Sequence, residues 1–253
     1  YLLNGAALQA SAPLQFSGDL TVASGSLSAG SNGNPALNAN GSGSIPSLSI
    51  TGNYSQSGGS ISGFNSIGIT SPGALTITGG SISTSPGGSM ALLSQASDPL
   101  ASVRISNAQL YAGNTSGSGG VISIDGVGIV LNSTQVLTSG TTTGGIINIG
   151  MNTVPPPDTI QIVGTNLFAD PPANGGQINI NARDIFVSSS NLNLLGNLGG
   201  SLSVGSSSTD YLELTNSTLI TASNTASFSF LVGPNGTLIN NARFLIIAPT
   251  PSG

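Results

Sequence analysis

The sequence predicts a single all-β domain, a parallel β-helix of about nine coils of roughly 27 residues with three short strands per coil. Three observations predict it. Apolar pairs with a spacing of two recur at a nearly fixed interval along the chain. A small or turn-forming residue follows each pair, and most coils open on Gly-Gly-x-apolar-x-apolar. A fixed period makes the length of the chain a count of copies, so its 253 residues need no second domain.

Take the reference column as Leu20, Leu48, Leu75, Val103, Ile129, Ile160, Ile185, Leu212 and Thr237. Two residues on come Val22, Ile50, Ile77, Ile105, Leu131, Ile162, Val187, Leu214 and Ile239, and seven on come Leu27, Ser55, Ile82, Leu110, Val136, Leu167, Leu192, Leu219 and Phe244. Only Thr237 and Ser55 interrupt these columns. Alternation with period two is a strand signature, and four residues after the reference lie only Ser, Gly and Asn, among them Asn107, Gly164 and Asn216. Such residues tolerate the backbone of a sharp bend, so each copy holds two strands meeting at a corner.

The third strand follows Gly119-Gly120, Gly144-Gly145, Gly175-Gly176 and Gly199-Gly200, with Ile122 and Ile124, Ile147 and Ile149, Ile178 and Ile180, and Leu202 and Val204 facing inward. Strands stacked at about 4.8 Å put nine coils within roughly 40 Å. Hairpins of an antiparallel sandwich would not repeat one residue type down a column, and helical repeats need spacings of three and four. Pro155-Pro156-Pro157 and Asp170-Pro171-Pro172 are expected to loop outward, because proline cannot donate to the ladder. The boundaries expected are an N-terminal cap or assembly segment over 1–19, the β-helix over 20–247 and a tail over 248–253.

The repeat at Asn174-Gly-Gly-Gln-Ile-Asn-Ile-Asn-Ala182, with its echoes at Gly144 and Gly199, resembles those of filamentous-haemagglutinin-type bacterial proteins. The resemblance spans roughly 58–247. It implies a right-handed β-helix, export by the two-partner secretion route and a place outside the cell or on its outer surface. The family's Asn-Pro-Asn-Gly secretion motif has as its nearest counterpart Gly233-Pro-Asn-Gly236, with Gly for the first Asn and far from the start of the chain. A start at Tyr1 without an initiator Met reads as a processed product or an excerpt.

Composition narrows the chemistry. Charged residues are 4% of the chain, the net charge is −5, and His and Cys are absent. Histidine bases, thiolate nucleophiles and the commonest zinc sites are thereby excluded. Three arginines cannot line a nucleic-acid groove, and no apolar run is long enough to span a membrane. Eight acidic residues remain. Asp158, Arg183 and Asp210 all lie two residues before the reference, with Asp184 beside Arg183, so successive coils stack them into a charge ladder. Its expected role is structural, with Arg183 bridging carboxylates that would otherwise repel. A carbohydrate or calcium site is the alternative. Asp98, Asp125 and Asp170 sit at turns, where Asp bonds its own backbone, and Arg104 and Glu213 point outward as lone charges. The sequons at Asn40, Asn53, Asn114, Asn132, Asn216 and Asn235 are no more frequent than composition alone would give.

No catalytic residue, metal ligand or cofactor is therefore expected. The function expected is that of a secreted, non-enzymatic structural or adhesive solenoid that associates with copies of itself, end to end or side by side, and whose Ser, Thr and Asn rows suit a surface polysaccharide. Its ends are expected at Tyr1, Leu2 and Leu3 and at Phe244, Leu245, Ile246 and Ile247, where open strand edges would template another chain. The alternatives are a carbohydrate-binding or carbohydrate-cleaving β-helix, and the secretion-recognition domain of a larger adhesin.

Overall fold

The computed structural model describes residues 1–29, 47–114, 116–153, 155–170, 175–194, 200–221 and 226–246. Among the described residues twenty-five strands form one continuous sheet in which each strand pairs in parallel with its equivalent one coil away. Among the described residues there is no helix. The chain is a parallel β-helix with three faces. The first face is typified by Val103–Ser106, the second by Gln109–Tyr111 and the third by Val121–Asp125.

Register follows the apolar columns. On the first face Leu75, Val103, Ile129, Ile160, Ile185 and Leu212 are successive partners. On the second, Ile82, Leu110, Val136, Leu167, Leu192 and Leu219 follow one another. The third stacks Met90, Ile122, Ile147, Ile178 and Leu202. These residues are buried almost completely, and a one-residue slip would turn each of them out to solvent, so burial fixes the register.

Corners divide into two kinds. From Asn107 onward the first corner turns at a left-handed residue four after the reference: Asn107, Ser133, Gly164, Ser189 and Asn216, with φ from 49° to 56°. In the three coils before that of Asn107 the left-handed residue comes one place later, at Gly25, Gly59 and Gly80, rather than at Ser24 and Gly79. Glycine is required there for a second reason. A Cβ on Gly80 would sit 2.4 Å from the carbonyl oxygen of Gly59 in the preceding coil.

Two copies are in a different register from the one expected. Leu48 belongs to the third face, paired with Leu14 and Ile67, and the first-face partner of Leu20 is Tyr54. Every face of a solenoid reads apolar-x-apolar, so Leu48-Ser-Ile50 imitates the reference pattern. In the last coil Leu238 pairs with Leu212, and Thr237 is one place out, because the corner after Asn241 is a residue shorter than its partner's. The segment 1–19 is itself a coil. Leu2–Leu3, Ala7–Ala10 and Leu14–Phe16 pair with Leu20–Val22, Ser26–Ala29 and Ser47–Ile50, which makes, among the described residues, ten rungs on the first two faces and nine on the third. Residues 248–253, assigned to a tail, lie outside the described residues.

Tyr54 and Gln56 are polar intrusions in the first-face core. The Tyr54 hydroxyl donates to Gln56 Oε1 at 2.7 Å, while Gln56 Nε2 reaches the carbonyls of Gly59 and Ser81. A buried polar group is tolerated when it is bonded, and each of these is. Burial pushes the Tyr54 phenol far above its ordinary value.

Candidate functional site

The corner between the third and first faces brings the predicted charges together. Backbone ladder bonds place them one coil apart. The Arg183 N–H donates to the Pro157 carbonyl at 2.9 Å, the Asp184 N–H to that of Asp158 at 2.9 Å, and the Asp210 N–H to that of Arg183 at 2.7 Å. From this stacked backbone Arg183 extends between two carboxylates. Its Nε and Nη2 donate to Asp210 Oδ2 at 3.2 and 3.1 Å, and Nη1 lies 3.6 Å from Asp158 Oδ1.

Arg183 is therefore a clamp held more tightly on one side. The hydrogen bond to Asp210, then its charge, then that of Asp158 hold the guanidinium above its ordinary pKa, with Asp184 a smaller contributor. The three side chains are roughly half exposed, so water and salt screen most of their attraction. Asp184 lies in strand Asp184–Ser188 opposite Thr159 and Tyr211. The arrangement offsets part of the negative charge of a carboxylate column, one guanidinium between Asp158 and Asp210. Among the described residues no three Asp or Glu side chains converge as they would around a calcium ion.

The other carboxylates have local partners. Asp98 Oδ1 accepts from the Leu100 N–H at 2.9 Å, a bond within its own turn as expected. Asp125 differs: it is buried, and its oxygens accept from the N–H and Nδ2 of Asn152 in the next coil at 3.0 and 2.9 Å. It anchors the start of the proline-containing loop. Asp170 ends strand Asn166–Asp170. Glu213 accepts from the Tyr211 hydroxyl at 2.9 Å, which raises the Tyr211 pKa, and the Tyr211 ring lies 5.2 Å from that of Phe186. Arg104 is exposed between Thr76 and Val130.

A buried hydroxyl column at the first corner escaped sequence reasoning. Thr134, Thr165, Ser190 and Ser217 follow the left-handed residues of four successive coils and have almost no exposure. The N–H of Thr134 donates to Thr165 Oγ1, that of Thr165 to Ser190 Oγ and that of Ser190 to Ser217 Oγ, at 3.1–3.4 Å. Each hydroxyl donates in turn to the carbonyl two residues before it. The signal was present as a Ser/Thr column five after the reference, but hydroxyl residues are so common in this chain that it did not stand out.

The ends differ from the interior. Inward-facing residues of central coils have essentially no exposure, whereas Leu8 at one end is 43% exposed and Leu238 and Phe244 at the other are 44% and 45% exposed. Tyr1 packs its ring edge-on against Phe16 at 5.1 Å, and its terminal amine donates to the Asp19 carbonyl. Leu2 points outward and is exposed, while Leu3 packs against the core. Phe244 meets Phe228 and Phe230 edge-on, each at 5.8 Å. Leu245 is half-buried opposite Ile220 and Ile246 ends the last strand, whereas Ile247 lies outside the described residues. No known protein family, curated protein or solved structure matches the chain.

Proposed function

We propose that the chain is an extracellular structural and adhesive β-solenoid, without enzymatic activity, whose copies stack end to end. The observation that carries this reading is the open core at both ends of the described coils. Leu3, Leu8 and Leu14 at one end, and Phe228, Phe230, Leu238 and Phe244 at the other, stand in the inward columns yet are more exposed than the inward residues of the central coils. Both ends are apolar, and both present parallel strands of the same three-faced cross-section. A head-to-tail contact of this kind joins two different surfaces, so it repeats without closing and builds a filament. The placing outside the cell rests on the resemblance of the Asn174–Ala182 repeat to haemagglutinin-type proteins.

Sedimentation velocity tests the stacking. Wild-type chain is expected to grow into larger species as concentration rises, and L238D/F244D, which puts two carboxylates on one end, is expected to stay monomeric. Equal sedimentation of the two forms would sink the proposal. A hydrolase or lyase reading makes a different demand, that D158N/D210N abolish a measurable polysaccharide-cleaving activity of the wild-type chain.

A further inference from the structure

The second face carries an uncharged outward stripe that neither the ends nor the charge ladder uses. Tyr111, Leu137 and Phe168 are successive strand partners, half-buried by their neighbours and otherwise open to solvent. Two residues earlier on the same strands, Gln109, Gln135, Asn166 and Asn191 form a parallel row. Gln109 and Gln135 are exposed, and Asn191 Nδ2 donates to Asn166 Oδ1 at 2.8 Å, which fixes how those two amides point. The stripe is local. In earlier coils the same two positions are both serine, as in Ser26 with Ser28, Ser60 with Ser62 and Ser81 with Ser83.

We propose that this stripe binds an uncharged, extended β-linked polysaccharide. Aromatic rings present flat apolar surfaces to the C–H faces of sugar rings, while amides offer a donor and an acceptor together, as sugar hydroxyls do. Spacing selects the polymer. Tyr111 and Phe168 stand two rungs apart, about 9.6 Å along the axis. In an extended β-1,4-linked chain the same ring face recurs at every second sugar, over a length close to this, so both rings can stack on one strand of glycan. Charge selects it too. Neither row holds an ionised side chain between Gln109 and Ile220, and Asp170 belongs to the next row over, so the two rows themselves offer no charge to an anionic or cationic polymer. The stripe lies along the side of the solenoid, and its binding does not depend on end stacking.

Affinity electrophoresis in native gels tests it, with hydroxyethylcellulose as the neutral β-linked probe, dextran as the α-linked control and polygalacturonate as the anionic control. The wild-type chain is expected to be retarded by hydroxyethylcellulose alone. Y111A/F168A is expected to bind about tenfold more weakly or worse, while F168Y and R104S keep full retardation. Because both aromatic side chains face outward, the double variant is expected to keep the wild-type circular dichroism spectrum; if it does not, the single variants F168A and F168Y carry the comparison. The proposal is overturned by absence of retardation in hydroxyethylcellulose, by equal retardation of wild type and Y111A/F168A, or by equal or stronger retardation in either control. It is overturned equally if sedimentation without glycan shows a side-by-side dimer that Y111A/F168A abolishes, since a second copy would then be the occupant.

Discussion

At the scale of single residues the corners decide where strands end. Ser189 adopts φ 50° with an exposed side chain, a conformation that costs an ordinary residue about 1–2 kcal/mol and a β-branched one more. Ser189→Gly is therefore expected to melt at or above the wild-type temperature and Ser189→Val well below it, as thermal denaturation can show; the reverse order would remove the corner argument. Tyr54 gives a pH prediction. Its pKa is raised in the folded state, so the stability it contributes is complete below the unfolded phenol's value near 10 and declines as pH rises beyond that. Urea denaturation midpoints are expected to be steady through neutral pH and to fall above about pH 10, with a shallower fall in Tyr54→Phe. An identical alkaline limb in the two proteins would assign the effect elsewhere. Arg183, held above its ordinary value by Asp210 and Asp158, stays charged through the neutral range. Its half-exposed ion pairs predict that Arg183→Gln lowers the melting temperature by only a few degrees, less in high salt.

At the scale of elements, strands and columns were readable because burial on a solenoid is periodic in sequence. Val103, Ile105 and Leu110 stand where their spacing put them, facing the core around the left-handed Asn107. What was not readable follows from degeneracy. Leu48-Ser-Ile50 fits any of the three faces, and only its pairing with Leu14 and Ile67 assigns it to the third. Ionic positions were legible because charges are rare here, and Asp158, Arg183 and Asp210 do meet. The Thr134 to Ser217 column was hidden by the abundance of its own residue types. It makes a sharp prediction. Thr165→Val keeps the shape of the side chain but leaves the buried Thr134 N–H without its acceptor, which is expected to cost about 1–3 kcal/mol. Chemical denaturation measures this, and a neutral result would mean that the column is only packing.

At the scale of the whole molecule, stability in a stacked array is a sum of coil and nearest-neighbour terms, so a coil with a neighbour on one side only, as the outermost coils have among the described residues, is the weakest. In the proposed end-to-end stack a second copy supplies that neighbour. The same regularity that exposes apolar ends lays out long straight rows along the sides, which suits an assembly built along one axis and presenting repeated contacts at right angles to it. The most direct measurement is electron microscopy of the purified chain at high concentration, with diffraction from any filaments formed. End-to-end stacking predicts unbranched filaments with an axial strand spacing of about 4.8 Å and a subunit repeat near 48 Å, ten rungs at that spacing. Dispersed monomers, or filaments whose strands do not run across the axis at that spacing, would contradict it.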